Sequence, residues 1–282
     1  MNLRRLTLAF SLVGASSLGL FGCGGSSNDF PEILTLEGRA IDGYLSNAYV
    51  CVDLNRNRIC DSGEPSDTTD SVGNFSIQSP DSDAPLILES LADTFDVNEE
   101  ELVGEGLFLT APNNSATLTP LTTLAQIRSE LAGESYSDAE NAVIEDLGLT
   151  GSVTNLGNFD YIAQQETSTA ARKAANSASA VAKIIRENAV QLGSGGDQKS
   201  KRGGAVFSLM VNSGQPNTPL QSVATTVNTA IDADEEPPID DIVEDNTPDI
   251  DDLEDLVEDI EEAEDDDDVI EPGTGGTGGG SV

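Results

Sequence analysis

The last 51 residues, Asp232 to Val282, carry 23 of the chain's 51 acidic side chains and none of its 13 Lys and Arg. Like charges at this density repel one another and resist burial, so the stretch reads as a solvated, low-complexity, disordered tail. It holds Pro237-Pro238, four consecutive Asp at 265–268 and Gly-Thr-Gly repeats near its end. A core therefore has to come from the residues that precede it. Aromatic residues make up 4% of the chain, Trp is missing and the formal net charge is −38, which together limit the size of that core. The same acidity excludes a nucleic-acid partner, because phosphate recognition needs a basic face. Cations or basic protein surfaces fit it better. With no His anywhere, Ser-His-Asp and Cys-His catalysis and histidine metal sites are excluded as well.

At the other end, Arg4 and Arg5 precede a run of apolar and small residues from Leu6 to Phe21. That is the charged-then-apolar layout of an export signal. The run falls short of the roughly 20 apolar residues that a spanning helix needs, and it stops at Leu20-Phe21-Gly22-Cys23 rather than at a basic flank. This ending resembles the lipobox of bacterial lipoproteins, where a small residue precedes the cysteine that takes lipid and becomes the first residue. The resemblance implies a signal peptide over 1–22, lipid on Cys23 and attachment to a membrane through it. Gly24 is not the aspartate that resembles an inner-membrane retention signal of enterobacteria, which for a Gram-negative host points to the outer membrane, with the body periplasmic or surface-exposed. Residues 23–32, rich in Gly, Ser and Asn, suit a tether. With Cys23 assigned to lipid, Cys51 and Cys60 are an even pair in an exported chain, a setting that reads as a disulfide.

Between tether and tail the hydrophobic period changes once. Over 33–118, short β-type runs at Leu34–Ala40, Ala48–Leu54, Asn74–Ile77 and Leu86–Leu88 alternate with turn signals such as Asp42-Gly43 and Ser79-Pro80, predicting a small β-module. Over 119–231 the period becomes helical. Pro120 suits a first helical position after Thr119, with Leu121, Leu124, Ile127, Arg128 and Leu131 on helical spacing up to Gly133. Ser137 with Glu140 three residues on predicts a capping box before Val143, Ile144 and Leu147. A long Ala-rich helix is expected over 160–192, with Ala174, Ala178, Val181, Ile185 and Ala189 on one face, and a last amphipathic helix over 219–231. Lys199, Lys201 and Arg202 fall in a Gly-rich loop between these two helices. The fold class is therefore α+β.

The constellation richest in chemistry is Asp53-Leu54-Asn55-Arg56-Asn57-Arg58-Ile59-Cys60-Asp61-Ser62-Gly63-Glu64. Oxygen ligands stand at positions 1, 3, 5, 9 and 12 of a twelve-residue loop, the spacing by which one loop wraps Ca²⁺. Side chains of Asp53, Asn55 and Asn57, the Ile59 carbonyl, Asp61 directly or through water, and both oxygens of Glu64 make up the expected ligand set. Position 6 is Arg58 where the helix-loop-helix version has Gly. A non-Gly residue with positive φ costs roughly 1 kcal/mol. The β-forming residues Tyr49 to Val52 ahead of it predict a strand, not a helix, leading into the loop.

These residues, with Gly38 to Leu45, Ala48 to Asn55, Gly63-Glu64-Pro65 and Thr69 to Phe75, resemble the calcium-loop β-sandwich modules of bacterial surface proteins. That group comprises the B-type repeats of serine-aspartate adhesins and the carboxypeptidase-regulatory-like domains. Leu109 to Pro112 and Pro120 to Leu124 also resemble segments that follow such a module in marine proteobacterial lipoproteins. The resemblance covers about residues 35–150 and implies a prealbumin-like β-sandwich with structural calcium and no catalytic residues. The expected function is that of a non-enzymatic binding or accessory protein of the cell envelope, with an outer-membrane or surface protein as its partner. A surface structural or adhesion component and an enzyme with an unrecognised site are the competing classes.

Overall fold

The computed structural model describes residues 33–80, 83–191, 210 and 218–247. The expected signal segment, Cys23, the expected tether, the expected loop at Lys199 to Arg202 and residues 248–282 lie outside these residues. The architecture is mixed α+β, with the strands first and the helices after them.

Ten short strands run from β1 (Leu34–Ala40) through β2 (Leu45–Ser46), β3 (Tyr49–Val52), β4 (Ser66–Thr68), β5 (Asn74–Ser79), β6 (Leu86–Glu89), β7 (Phe95–Asp96), β8 (Glu101–Leu102) and β9 (Phe108–Ala111) to β10 (Thr117–Leu118). They form three sheets, ordered β10-β1-β5, β4-β3-β6-β9 and β2-β7-β8. β1 pairs antiparallel with β5, Gly38 opposite Phe75, and parallel with β10, Arg39 opposite Thr117. In β5 the alternation of a half-buried strand is complete, since Phe75, Ile77 and Ser79 face in while Ser76 and Gln78 face out. β3, β6 and β9 sit at the middle of the core instead. Val50, Cys51, Val52, Leu86, Ile87, Leu88 and Leu109 are all at most 1% exposed, so their runs are continuously apolar.

The six helices described are α1 (Pro120–Ala132), α2 (Tyr136–Asp146), α3 (Tyr161–Gln164), α4 (Thr169–Gln191), α5 (Pro219–Asp232) and α6 (Ile239–Asn246). α1 follows the sequence closely. Thr119 caps it by accepting from the Thr122 N–H, Pro120 opens it, and Gly133 closes it in the left-handed conformation. Leu131, expected on the inner face, is 56% exposed.

Two helix boundaries differ from expectation. Ser135, not Ser137, caps α2, accepting from the Asp138 N–H. Glu140, expected to close a capping box, faces inward: its Oε1 accepts from the N–H groups of Leu156 (2.7 Å) and Gly157 (3.4 Å) at the start of a 3₁₀ turn. Tertiary demand for those two orphan donors outweighs the local capping pattern. The helix expected over 160–192 is broken. α3 lasts one turn, and α4 begins after Ser168, whose hydroxyl accepts from the Ala171 N–H (3.2 Å). A Glu-Thr-Ser-Thr run at 166–169 favours such a restart, since Ser and Thr hydroxyls compete for backbone groups. Ala174, Ala178, Val181 and Ile185 are buried as expected, and the side chain of Ala189 lies outside the described residues.

The segment that begins the acidic tail is also folded. α6 lies within it and buries Ile242 (2% exposed) and Val243 (3%), packing on α4 and α5 while Asp240, Asp241, Glu244 and Asp245 face solvent. The boundary expected at 232 is thus too early by about one helix. Ile242 and Val243 fall three and four residues after the partly buried Ile239, a spacing that puts all three on one face, and mean acidity hides them. Burial of two such side chains contributes about 1.5–3 kcal/mol each. Deleting residues 248–282 is therefore expected to leave the melting temperature nearly unchanged, whereas deleting 233–282 lowers it by about 5–15 °C. Calorimetry on both truncations checks this, and equal melting temperatures would show that α6 does not hold the body together.

Candidate functional site

The twelve-residue loop leaves β3 at Val52 and re-enters the sheet at β4. It is organised around Asp53, which is 1% exposed. Oδ1 of Asp53 accepts from the Asn57 N–H (3.1 Å) and Oδ2 from the Arg58 N–H (2.9 Å). Burial raises the pKa of this carboxyl, and the two backbone donors work against the rise. Arg58, at position 6, has φ +61°, the left-handed turn that a calcium loop takes at that point. Arg56 also has positive φ, at +58°. The strain at Arg58 is offset by the N–H bond to Asp53 and by its guanidinium, whose Nε donates to Glu130 Oε2 on α1 (3.1 Å) and whose Nη2 pairs with the same oxygen.

The remaining expected ligands converge on the same loop interior. Asp61 Oδ2 accepts from the side-chain amides of both Asn55 and Asn57, each at 2.8 Å. Oδ1 of Asn55 accepts from the Asn57 N–H (3.1 Å) and Oδ1 of Asn57 from the Ile59 N–H (2.9 Å). Glu64 spans the loop ends, Oε1 accepting from the Leu54 N–H (2.8 Å) and Oε2 from the Asp61 N–H (3.0 Å). Cys51 and Cys60 are joined by a disulfide with Cα atoms 5.7 Å apart, so the sequence pairing and the folded-back loop coincide. The Cys60 N–H reaches Glu89 Oε1 on β6 (3.4 Å).

This donor set fits a hard cation in kind, with carboxylates, amide oxygens and the Ile59 carbonyl all within one loop. Each oxygen now holding an N–H keeps a second lone pair. No three acidic, His or Cys side chains gather as a metal cluster among the described residues. An ion here would accordingly depend on the Asn side chains and the backbone as well as on acids.

A second group of acids was not legible in the sequence. Asp42-Gly43 reads as a turn, and it is one. What fixes it is Asp96, distant in the chain, whose Oδ2 accepts from the Gly43 N–H (2.9 Å) while Oδ1 accepts from Asn98 (2.8 Å) and Glu99 (3.1 Å). A Cβ on residue 43 would stand 2.1 Å from Asp96 Oδ1, so Gly is required there. Asn98 completes the clamp by accepting from the Tyr44 N–H (2.9 Å). Beside this turn Asp42 is 9% exposed, and its Oδ1 has no hydrogen-bond partner. Burial pushes its pKa up to about 7, against the pull of the Arg186 charge and with Asp96 and Glu99 adding to the rise. No pattern in the sequence marks Asp42, because its isolation arises from helices far along the chain.

Compared with protein-family models, curated proteins and solved structures, the chain matches none. No helix among the described residues is long and apolar enough to cross a membrane.

Because the folded-state pKa of Asp42 lies above its unfolded value of 3.8, the native state holds the extra proton between about pH 4 and 7. The penalty for burying the ion is absent below that window and complete above it. Asp42→Asn is expected to raise the melting temperature relative to wild type at pH 8 and by less, or not at all, at pH 4.5. A difference that does not change with pH, read by thermal denaturation in both buffers, would contradict this account.

Proposed function

We propose that this chain is a bacterial outer-membrane lipoprotein, anchored through Cys23, whose body is a non-enzymatic, calcium-stabilised binding or accessory module for an envelope protein. The reading includes a prealbumin-like β-sandwich, with the β10-β1-β5 and β4-β3-β6-β9 sheets as its two layers over one shared core. It also takes Asp53, Asn55, Asn57, Ile59, Asp61 and Glu64 as ligands of one Ca²⁺. The observation that carries the calcium reading is the turn at Arg58. An arginine held at φ +61°, with its N–H on the first ligand Asp53, reproduces the bend that a wrapped cation needs at a position where the sequence offers no glycine to make it easy.

Calcium would act here as a staple, joining the loop's two ends where Glu64 already reaches from one to the other. The disulfide supports the same closure by limiting how far the loop opens in the unfolded chain. Calorimetric titration of the Cys23→Ser protein is expected to give one site in the range of extracellular modules, about 10⁻⁴–10⁻³ M. At ten times the dissociation constant the ion adds about 1.4 kcal/mol of stability. Replacing Asp53 and Glu64 together, as Asp53→Asn with Glu64→Gln, is expected to abolish that site. Undiminished binding in the double variant would move the ion to the acidic tail and end this reading of the loop.

The anchor has its own test. Cys23→Ser is expected to release the protein from membranes, since a lipidated cysteine is the membrane attachment that the sequence specifies. Continued sedimentation with membranes, with no fatty-acid label on the wild-type chain, would refute the lipoprotein assignment.

A further inference from the structure

Beyond the calcium loop, the acids around the Asp42 turn open onto a cavity of about 560 Å³, a size suited to a small molecule. One wall is the turn itself, with Asp42, Gly43 and Asp96. A second is the polar face of α4, with Asn176, Ser179, Lys183 and Arg186. The segment that enters α6, from Glu236 to Asp241, makes the third. Sequence-distant elements thus build the cavity together.

Its chemistry is of mixed sign. Asp42 lines the cavity at 9% exposure, its Oδ1 is buried without a hydrogen-bond partner, and among the described residues no cation lies within 4.0 Å of its carboxylate. Arg186 lines the same cavity and acts on Asp42 through its charge without touching it. Lys183 stands nearby, 3.5 Å from Asp240, whose side chain is 97% exposed. An opposed acid and base that face one cavity without meeting leave room between them for a group of each sign. A buried carboxylate without a donor is costly and is relieved when a ligand supplies one.

This mixture discriminates among ligands. A bare metal ion is disfavoured, because the ammonium of Lys183 and the guanidinium of Arg186 line the same cavity and repel it. A ligand with positive charge alone meets Lys183 and Arg186. One with negative charge alone meets Asp42 and Glu99. The lining carries seven acidic side chains against two basic ones, so a ligand bearing both signs also needs a net positive charge.

We propose that this cavity binds a basic α-amino acid, with its α-ammonium on Asp42, its α-carboxylate on Arg186 and its cationic side chain among the acids of the rim. Asp96 acts as a positioning residue, since it fixes the turn that presents Asp42. The site makes no demand on the calcium loop, so it stands or falls apart from that reading.

The test is calorimetric titration of the full-length protein with L-arginine and L-lysine, and with agmatine and Nα-acetyl-L-arginine as controls. Agmatine lacks the carboxylate and the acetylated form lacks the ammonium. One of the two amino acids is expected to bind at a single site, with each control at least about tenfold weaker, the effect of leaving one buried charge unpaired. Asp42→Asn and Arg186→Gln are each expected to weaken binding by a similar factor while circular dichroism stays native. Agmatine binding as tightly as arginine would replace the amino acid with a simple cation and overturn the proposal. Absence of binding by both amino acids would overturn it too, as would binding unchanged in both variants. The comparison among ligands uses the wild-type chain, so it decides the matter even where a variant fails to fold.

Discussion

The four-stranded sheet would end in an open edge at β9 were it not for the threonines at the start of α1. The Thr110 N–H donates to Thr123 Oγ1 (2.9 Å), and that hydroxyl donates to the Thr119 carbonyl (2.7 Å). On the other side of the strand, Thr110 Oγ1 donates to the Leu86 carbonyl on β6 (2.8 Å). Thr110, Thr119, Thr122 and Thr123 are each at most 3% exposed, so these hydroxyls are an internal seam and not a polar surface. An unpaired strand edge is a site for aggregation, and covering it with a helix removes the hazard. The cover also fixes the direction of α1, against which α2 and α4 then pack. The Leu-Thr-Ala-Pro and Pro-Leu-Thr-Thr-Leu segments owe their composition to this seam.

From the seam outward, ionic and polar links tie the later elements to one another and back to the first strands. Arg128 on α1 pairs with Glu134 (3.0 Å) and Asp146 (3.5 Å), and Asp146 accepts from Gln221 on α5 (2.7 Å). Asp160, which caps α3, takes the Tyr44 hydroxyl and the Arg39 guanidinium (3.2 Å), while Arg39 lies over the Tyr44 ring. The buried hydroxyl of Tyr161 donates to the Ile41 carbonyl (3.1 Å). Partly exposed pairs of this kind contribute little energy individually. Their role is in register: the Arg128 and Asp146 links set the helices against one another, Asp160 and Tyr161 join the start of the helical part to Arg39, Tyr44 and Ile41, and the cavity beside Asp42 takes its shape from that register.

The twelve-residue loop belongs to the same connected system through Arg58. Its backbone makes the loop's bend and its side chain reaches Glu130 on α1, so loop and helix constrain one another. A glycine at this position would relax the backbone and lose the tie. The arginine is therefore consistent with a loop that is held from outside as well as by any ion within it.

Much of this was present in the sequence, wherever the cause is local. The Thr119 cap, the proline after it and the Gly133 stop are contacts within a few residues, and α1 begins and ends where they dictate. The loop's carboxylates and amides and the cysteine pair are likewise close in the chain, and the sequence placed them together. Ser135 replaced Ser137, and the helix over 160–192 broke at Ser168, because neighbouring Ser and Thr residues offer nearly equal caps and packing chooses between them. Glu140 turned inward, and two aliphatic residues drew α6 out of an acidic stretch, since orphan backbone donors and an uncovered apolar face on α4 outweigh local charge. Asp42, Asp96 and Arg186 form a site through three separate elements. Their convergence on one cavity depends on α4 and the segment entering α6 coming beside the Asp42 turn, a long-range event that no local pattern encodes.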